Sequence, residues 1–202
     1  WSVVLKAGQG AEEALVKLVT DKSVDVVVVA AGQPAPLVAN MKPEATAALW
    51  RHLLDIDLVA TVKAWGRPAD EEILSLVREP RRLKFTVSDG LWVRLIDIPG
   101  SLTGRSYSSD GRLVVDVRDA FRPRTSGRYE LVVEGGEGKC ASTDAEPDLA
   151  CGVAVLGAVY LGGSSFRRLA RIGQVRELTD NALARADSMF AWDPSPWFGF
   201  IF

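Results

Sequence analysis

The stretch that decides the fold is "GRLVVDVRDAFRPRTSGRYELVVEG", residues 111–135. In its first half, every second residue from Leu113 to Val117 is apolar, and the second half repeats the pattern from Tyr129 to Val133. A period of two is typical of strands that bury one face and expose the other. The stretch therefore predicts two antiparallel strands of a sheet that covers a hydrophobic core.

Flanking segments extend this antiparallel sheet. "LKFTV" (83–87) and "LWVRLID" (91–97) flank Ser88-Asp89-Gly90, whose Asp-Gly pair favours a tight hairpin turn. "IPGSLTGRSYS" (98–108) predicts an initial helical turn, and "KCAST" (139–143) predicts a last strand. The sheet is thus expected to be a meander of short strands.

The last third of the chain predicts helices. "DLACGVAVLGAVYLGG" (148–163) is apolar on all sides, which is typical of a buried helix, and Asp148 would stand at its N-terminus. Ser164 or Ser165 is expected to cap a second helix that ends at Gly173. Thr179 is expected to cap a third helix.

The first part of the chain has an α/β pattern. Ser2 to Leu5 predicts a strand, Gly8 and Gly10 a turn before a helix, and "VDVVVVAAG" (24–32) a strand covered on both faces. "KPEATAALWRHLLDID" (42–57) predicts a helix, "LVATVKAWG" (58–66) a strand, and Asp70 the cap of a short helix. Glu13 occupies the third glycine position of a dinucleotide fingerprint, so Gly8 and Gly10 indicate a turn rather than a phosphate site.

Composition and charge exclude several function classes. A net charge of −2 gives no electrostatic footprint for nucleic acid. Apolar runs fall far short of the ~20 residues that cross a bilayer. Cys140 and Cys151 lack the spacing of a zinc site, and His52 is the single histidine, so no metal site is predicted. Two reduced thiols favour a cytoplasmic location, with secretion left open.

The chain ends in "SPWFGFIF" (195–202), which is unusually aromatic for a terminus. Insertion of these rings into protein would carry the α-carboxylate of Phe202 inside with them. Two interpretations stay open: the tail completes a core or subunit contact, or it positions the carboxylate for chemistry.

Several segments together resemble one known family. They are "LWRHLLDIDLV" (49–59), "AWGRP" (64–68), "DGLWVRLIDIP" (89–99), "GRLVVDVRDAF" (111–121) and "TDAEPDLACGVAVLGAVYLGG" (143–163). In this order, and with a terminal Phe, they resemble the C-terminal half of Eis-like (enhanced intracellular survival) N-acetyltransferases of the GNAT superfamily. The resemblance covers about residues 44–202.

The resemblance implies a fold and a domain organisation. The fold class would be α+β (mixed α/β): residues 1–84 part of a central GNAT-like domain, and residues 85–202 a domain similar to sterol carrier protein, with a mainly antiparallel sheet and packed helices. The family forms homo-oligomers, as trimers or hexamers.

The resemblance also implies an activity, which is acetyl transfer from acetyl-CoA to primary amines of the aminoglycoside or lysine type. The carboxylate of Phe202 would be the general base, and Trp65 and Ile201 would lie near the amine. Ile201 stands where some members carry an acidic residue.

The acetyl-CoA site and the general-acid tyrosine of the family would lie outside this chain. "LKAGQG" (5–10) lacks the basic or amide residue of the CoA loop, and Tyr107, Tyr129 and Tyr160 do not inherit the acid's role. The chain alone is therefore expected to be inactive.

Two other functions remain as alternatives. A sterol-carrier-like domain could bind lipid in an apolar tunnel between the sheet and "VAVLGAVYL" (153–161). The chain could instead serve only in oligomer assembly.

Overall fold

A computed structural model of the chain describes residues 26–29, 43–56, 61–65 and 67–197, with 26–29, Pro43 and Trp65 described as backbone only. The chain divides into two compact units at Gly90 and Leu91. The domain boundary expected after residue 84 stays a prediction. The strand, turn and helix expected within residues 2–20 lie outside the described residues.

The first unit contains a parallel strand pair and short helices. Strand β1 (Val26–Val29) pairs with β2 (Val62–Trp65), and helices α1 (Pro43–Leu54) and α2 (Ile73–Leu76) precede a 3-10 turn at Pro80–Arg82. The helix predicted within residues 42–57 and the strands predicted within residues 24–32 and 58–66 are confirmed. Trp50, Leu53 and Ile73 form a small buried cluster. Asp70 as the cap of α2 is wrong: a turn in which Glu71 N donates to Pro68 O delays the helix, and Glu72 is its N-cap residue.

The hairpin predicted for residues 83–97 is wrong. Residues 84–95 form neither helix nor strand. Val87 and Trp92 are 67% and 85% exposed. An alternating pattern produces a strand only where a neighbour accepts and donates the ladder hydrogen bonds, and none of the described strands pairs with these residues.

The second unit is built on a five-stranded sheet. Its strands are β3 (Gly111–Arg118), β4 (Gly127–Glu134), β5 (Glu137–Ser142), β6 (Leu149–Gly152) and β7 (Val175–Glu177), in spatial order β5-β4-β3-β6-β7. Strands β3 and β4 are antiparallel, with Leu113 opposite Leu131. Strand β6 runs parallel to β3, and the other neighbours are antiparallel. The expected mixed α+β fold with a mainly antiparallel sheet is confirmed.

The predicted inward faces of β3 and β4 are also confirmed. Leu113, Val117, Leu131 and Val133 are at most 2% exposed, and Tyr129 joins them in the core.

Four helices of this unit pack around the same core: α3 (Ile98–Thr103), α4 (Val153–Val159), α5 (Phe166–Arg171) and α6 (Ala182–Phe190). The Ser165 side chain caps α5 by accepting from Arg168 N, and Gly173 follows this helix at φ 77°, as glycine allows. Both features were predicted.

Two predictions in this region are wrong. The stretch 148–163 is not one helix, because residues 149–152 form β6 before α4 begins, and Asp148 precedes that strand. Thr179 does not cap α6: Asn181 is the N-cap residue and makes no side-chain cap hydrogen bond, and the Thr179 hydroxyl donates to Asp148 instead. Strand β7 was not predicted. Every helix within the described ranges is too short or too polar to span a bilayer.

Candidate functional site

Of the three residues that the sequence assigns to catalysis or substrate binding, two lie at the chain's end. Phe202 and Ile201 are outside the described residues. Trp65 is described as backbone: it ends β2 and is paired with Val29, at the carboxyl edge of the parallel pair. Ligands of α/β folds commonly bind at this edge.

A buried carboxylate fixes the chain just after Trp65. Glu71, 3% exposed, accepts from Arg67 Nε at 2.6 Å and Nη2 at 2.9 Å, and from the Trp50 indole at 3.0 Å. The Arg67 guanidinium also lies 6.0 Å from the centre of the Trp50 ring. This clamp joins the segment that leaves β2 to α1. Sequence reasoning missed it, although the Arg67–Glu71 spacing of four was a visible signal.

The chain's three tyrosine hydroxyls all donate to backbone carbonyls. Tyr107 donates to Leu102 O at 2.6 Å, Tyr129 to Thr125 O at 2.8 Å, and Tyr160 to Ser101 O at 2.9 Å. Burial raises the pKa of Tyr107 and of Tyr129 above the ordinary value. These contacts are those of structural tyrosines.

The two cysteines are free thiols in apolar surroundings. Burial raises the pKa of Cys140 to about 11 and that of Cys151 to about 12, with Asp97 and Asp116 respectively adding to the effect. A thiol reacts through its thiolate, so both are poor nucleophiles at neutral pH.

Two buried carboxylates join elements of the second unit. Asp119 accepts from Arg94 Nη2 at 2.7 Å through both oxygens, and from the Phe121 and Arg122 amides. Burial alone would raise the pKa of Asp119, but these hydrogen bonds lower it below its ordinary value.

Asp148 is held in a similar way. One oxygen accepts from Val114 N at 2.8 Å, and the other from Thr179 Oγ1 at 2.6 Å and Arg185 Nη2 at 2.9 Å. Burial would raise the pKa of Asp148, but the Thr179 and Val114 hydrogen bonds and the charge of Arg185 lower it. Asp148 therefore serves structure. No group of three His, Cys, Asp or Glu side chains among the described residues is placed to hold a metal ion.

The region between the sheet and α4 is filled by side chains. Val153, Leu156 and Val159 of this helix are at most 5% exposed in one cluster with the sheet. A pocket of about 270 Å³ lies elsewhere, lined by residues that include Gly163, Arg168, Asp187 and Ala191. This packing counts against a lipid tunnel at the expected place.

Comparisons with known proteins agree with both units. Residues 98–199 match the sterol carrier protein domain family, and residues 36–95 match the acetyltransferase (GNAT) domain family. An N-acetyltransferase of Streptomyces avermitilis is 43% identical over 157 residues, which are 78% of this chain and 38% of that protein. The N-acetyltransferase Eis of Mycobacterium tuberculosis is 30% identical over 151 residues, 74% of this chain and 37% of that protein.

Solved structures give the same picture. The crystal structure of Eis1 from Mycobacterium abscessus has a TM-score of 0.68 at 35% identity, covering 80% of this chain and 41% of that one. A GCN5-related N-acetyltransferase from Kribbella flavida shares the fold, with a TM-score of 0.59 at 23% identity over 80% of this chain and 42% of that one. The chain thus spans less than half the length of the relatives it matches.

The order of the two matched regions is that expected from the sequence, an acetyltransferase segment followed by a sterol carrier protein domain. The chain therefore belongs to the sterol carrier protein domain family, and the segment that precedes that domain is similar to the acetyltransferase (GNAT) domain found in Eis-like N-acetyltransferases.

Proposed function

We propose that the intact protein transfers an acetyl group from acetyl-CoA to a primary amine of the aminoglycoside or lysine type, and that this chain supplies the base. The observation that carries the activity is the 30% identity to the N-acetyltransferase Eis, together with the acetyltransferase match over residues 36–95. The base is the α-carboxylate of Phe202.

Acetyl transfer to an amine needs a base because an ammonium ion has no lone pair with which to attack the thioester. In water an α-carboxylate, with a pKa of ~3.5, is a weak base for this task. Removal from water raises that pKa, since the charged form loses its hydration, and a base whose pKa approaches the working pH is more effective. The aromatic residues around Phe202 are suited to hold the carboxylate in such a place.

The pKa shifts of titratable side chains in the described residues support this assignment. The carboxyl groups of Asp119 and Asp148 have lowered pKa values, and the two thiols and the phenols of Tyr107 and Tyr129 have raised ones. Each of these shifts moves the group's pKa away from neutral pH, whereas a general base gains from the opposite change. His52 is exposed on α1.

We assign the acetyl-CoA site to the acetyltransferase domain beyond this chain. A CoA pyrophosphate is gripped by backbone N–H groups of a glycine-rich turn at a helix N-terminus. The described segments contain no such Gly-x-Gly turn before a helix. When bound, acetyl-CoA supplies the acetyl thioester.

The amine pocket would include Trp65 and Ile201. Support for Trp65 is its position at the carboxyl edge of the β1–β2 pair, directly before the Arg67–Glu71 clamp. An indole is a flat apolar group of the kind that can form one wall of an amine pocket. We further propose that the protein forms a homo-oligomer, as trimer or hexamer. We also propose a cytoplasmic location, which the two free thiols favour.

The test is to replace the terminal carboxylate of the intact protein with an amide by peptide ligation. We expect kcat for amine acetylation to fall by about 10²- to 10⁴-fold, the usual contribution of a general base, while KM for acetyl-CoA stays unchanged. The control is the same ligation with a native carboxylate. An amidated enzyme with the control's turnover would refute the role of Phe202, and absence of acetyl transfer in the control enzyme would refute the activity.

A further inference from the structure

The guanidinium of Arg105 lies where two helices end. Its Nη1 donates to Tyr160 O at 2.6 Å, directly after α4, and its Nη2 donates to Phe190 O at 3.2 Å, the last residue of α6. The last carbonyls of a helix lack intrahelical partners and carry partial negative charge. One cation thus joins the carbonyl ends of both helices.

Aromatic rings complete the surroundings of this cation. The Arg105 guanidinium lies 4.5 Å from the ring centre of Tyr107 and 4.6 Å from that of Phe190, and these two rings meet edge to face. No carboxylate among the described residues forms an ion pair with Arg105, so carbonyls and ring faces are its counter-charges here. Burial lowers the pKa of Arg105.

The residues next to Arg105 hold the same helix end. Ser108 N donates to Met189 O at 3.2 Å, and Ser108 Oγ donates to Ser188 O at 2.6 Å. Residues 105–108 therefore bind three successive carbonyls of the last turn of α6. The C-terminal tail, residues 191–202, begins directly after that turn.

The first residues of the tail pack closely on the other helix end. Gly162, at φ 85°, lies so near the tail that a Cβ there would be 3.0 Å from Trp192 Cβ and 3.1 Å from Phe190 O. A similar Cβ on Gly163 would be 2.9 Å from Pro196 Cγ. The tail therefore leaves α6 in a fixed direction across the Gly162-Gly163 pair.

We propose that Arg105 is the positioning residue of the C-terminal tail, fixing the point and direction from which the chain runs towards Phe202. This inference rests on the proposed function, since it explains how the terminal carboxylate is delivered. Phe202 is the twelfth residue after Phe190, so the intervening chain can reach ~40 Å when extended. If the start of the tail were not held, more conformational entropy would be lost when the carboxylate is placed. A misplacement of ~1 Å can cost about 10²-fold in rate.

The test compares Arg105→Met and Arg105→Lys with Arg128→Met in the intact protein. Arg128 is a matched control because it also donates to two backbone carbonyls, Asp144 O and Ala145 O, but is bonded to neither helix end. For Arg105→Met we expect amide hydrogen exchange at the end of α6, where Ala191 N donates to Asp187 O, to accelerate about tenfold or more, and kcat to fall with KM for acetyl-CoA unchanged. Arg128→Met should change neither quantity.

Arg105→Lys keeps the charge and the stem but cannot bridge both carbonyls, so it should show an intermediate effect. This variant also keeps the test decisive if Arg105→Met fails to fold. Wild-type exchange at the end of α6 and wild-type kcat in a folded Arg105 variant would overturn the inference.

The amide ligation separates the two claims. If Arg105→Met loosens the tail while amidation leaves turnover intact, the anchor stands and the base role of Phe202 fails. If amidation abolishes turnover while the Arg105 variants keep wild-type exchange and rate, the base role stands and the anchor fails.

Discussion

Single side chains carry much of the connectivity of the second unit, and Asp148 shows this most clearly. Asp148→Ala should lower the free energy of unfolding by about 1–3 kcal/mol, because it leaves the N–H of fully buried Val114 without its acceptor. Denaturant unfolding measures the change. Asp144→Ala, an exposed carboxylate four residues earlier, is the control and should be neutral; equal stability of the two variants would contradict the role of Asp148.

The pH dependence of this contribution has a definite sign. The pKa of Asp148 is lower in the folded state than its ordinary value of 3.8, so its stabilisation is fully present above that value and is lost as pH falls through the folded pKa. We expect the stability gap between wild type and Asp148→Ala to be constant from pH 5 to 7 and to shrink below about pH 4. A gap that widens in acid would reverse the argument.

The cysteines permit a chemical prediction at the same scale. At pH 8 a thiol with the ordinary pKa of 9.0 is about one-tenth thiolate, whereas values of about 11 and 12 leave about a thousandth of Cys140 and a ten-thousandth of Cys151 ionised. Alkylation of both in the folded protein should thus be about 100-fold or more slower than after unfolding. Peptide mass spectrometry follows each residue; rapid labelling of Cys151 in the native state would disprove its burial.

At the scale of elements, one glycine determines how closely helix α4 packs against the neighbouring chain. A Cβ at Gly157 would clash with the carbonyl oxygen of Val93, so the helix and the extended residues 91–95 approach backbone to backbone. Gly→Ala in a helix gains ~1 kcal/mol of propensity, but overpacking costs ~1–3 kcal/mol, and a backbone oxygen cannot swing aside.

We therefore expect Gly157→Ala to be destabilising by about 1–2 kcal/mol in spite of its better helix propensity. Thermal or denaturant unfolding tests this. Ala158→Ser, which adds one atom on the exposed side of the same helix, should stay within about 0.5 kcal/mol of wild type. A stabilised Gly157→Ala would show that the segment at Val93 yields easily.

Strands β3 and β4 were predicted correctly because each supplies the neighbour with which the other pairs. Strands β3 and β4 alternate strictly and face each other, so periodicity was sufficient. Strand β6 was merged with α4 because its four residues are as apolar as those of a buried helix, and periodicity does not separate a short apolar strand from a buried helix segment. The pattern of residues 83–97 is compatible with strand pairing, but it does not indicate whether a partner strand exists.

The candidate site was predictable only in part. The aromatic tail stood out as unusual for a chain end, whereas Trp65 was a candidate only through the family resemblance. Arg105 did not, because its acceptors are 55 and 85 residues away and are backbone atoms, which carry no sequence signature. Contacts between a side chain and distant carbonyls are decided by the packing of helix ends, and local patterns do not encode that packing.

At the scale of the whole molecule, the second unit should open from its edges. Strand β3 is paired on both sides, and its residues Leu113 and Val114 are fully buried, whereas β7 has three residues at the sheet's edge. Native-state hydrogen exchange should find the slowest amides in β3 and β4 and much faster ones in β7. Equal protection of β7 and β3 would contradict this ordering.

The parallel partnership of β3 and β6 has a consequence for the path by which the chain reaches its native state. Strands β3, β4 and β5 follow one another through short connections, so each can zip onto its predecessor with little loss of chain entropy. Strand β6 must instead travel back past two finished strands to dock beside β3, and it brings α4 with it. We therefore expect the β3–β4–β5 meander to form first and the β6–α4 segment, whose contacts are less local, to dock later.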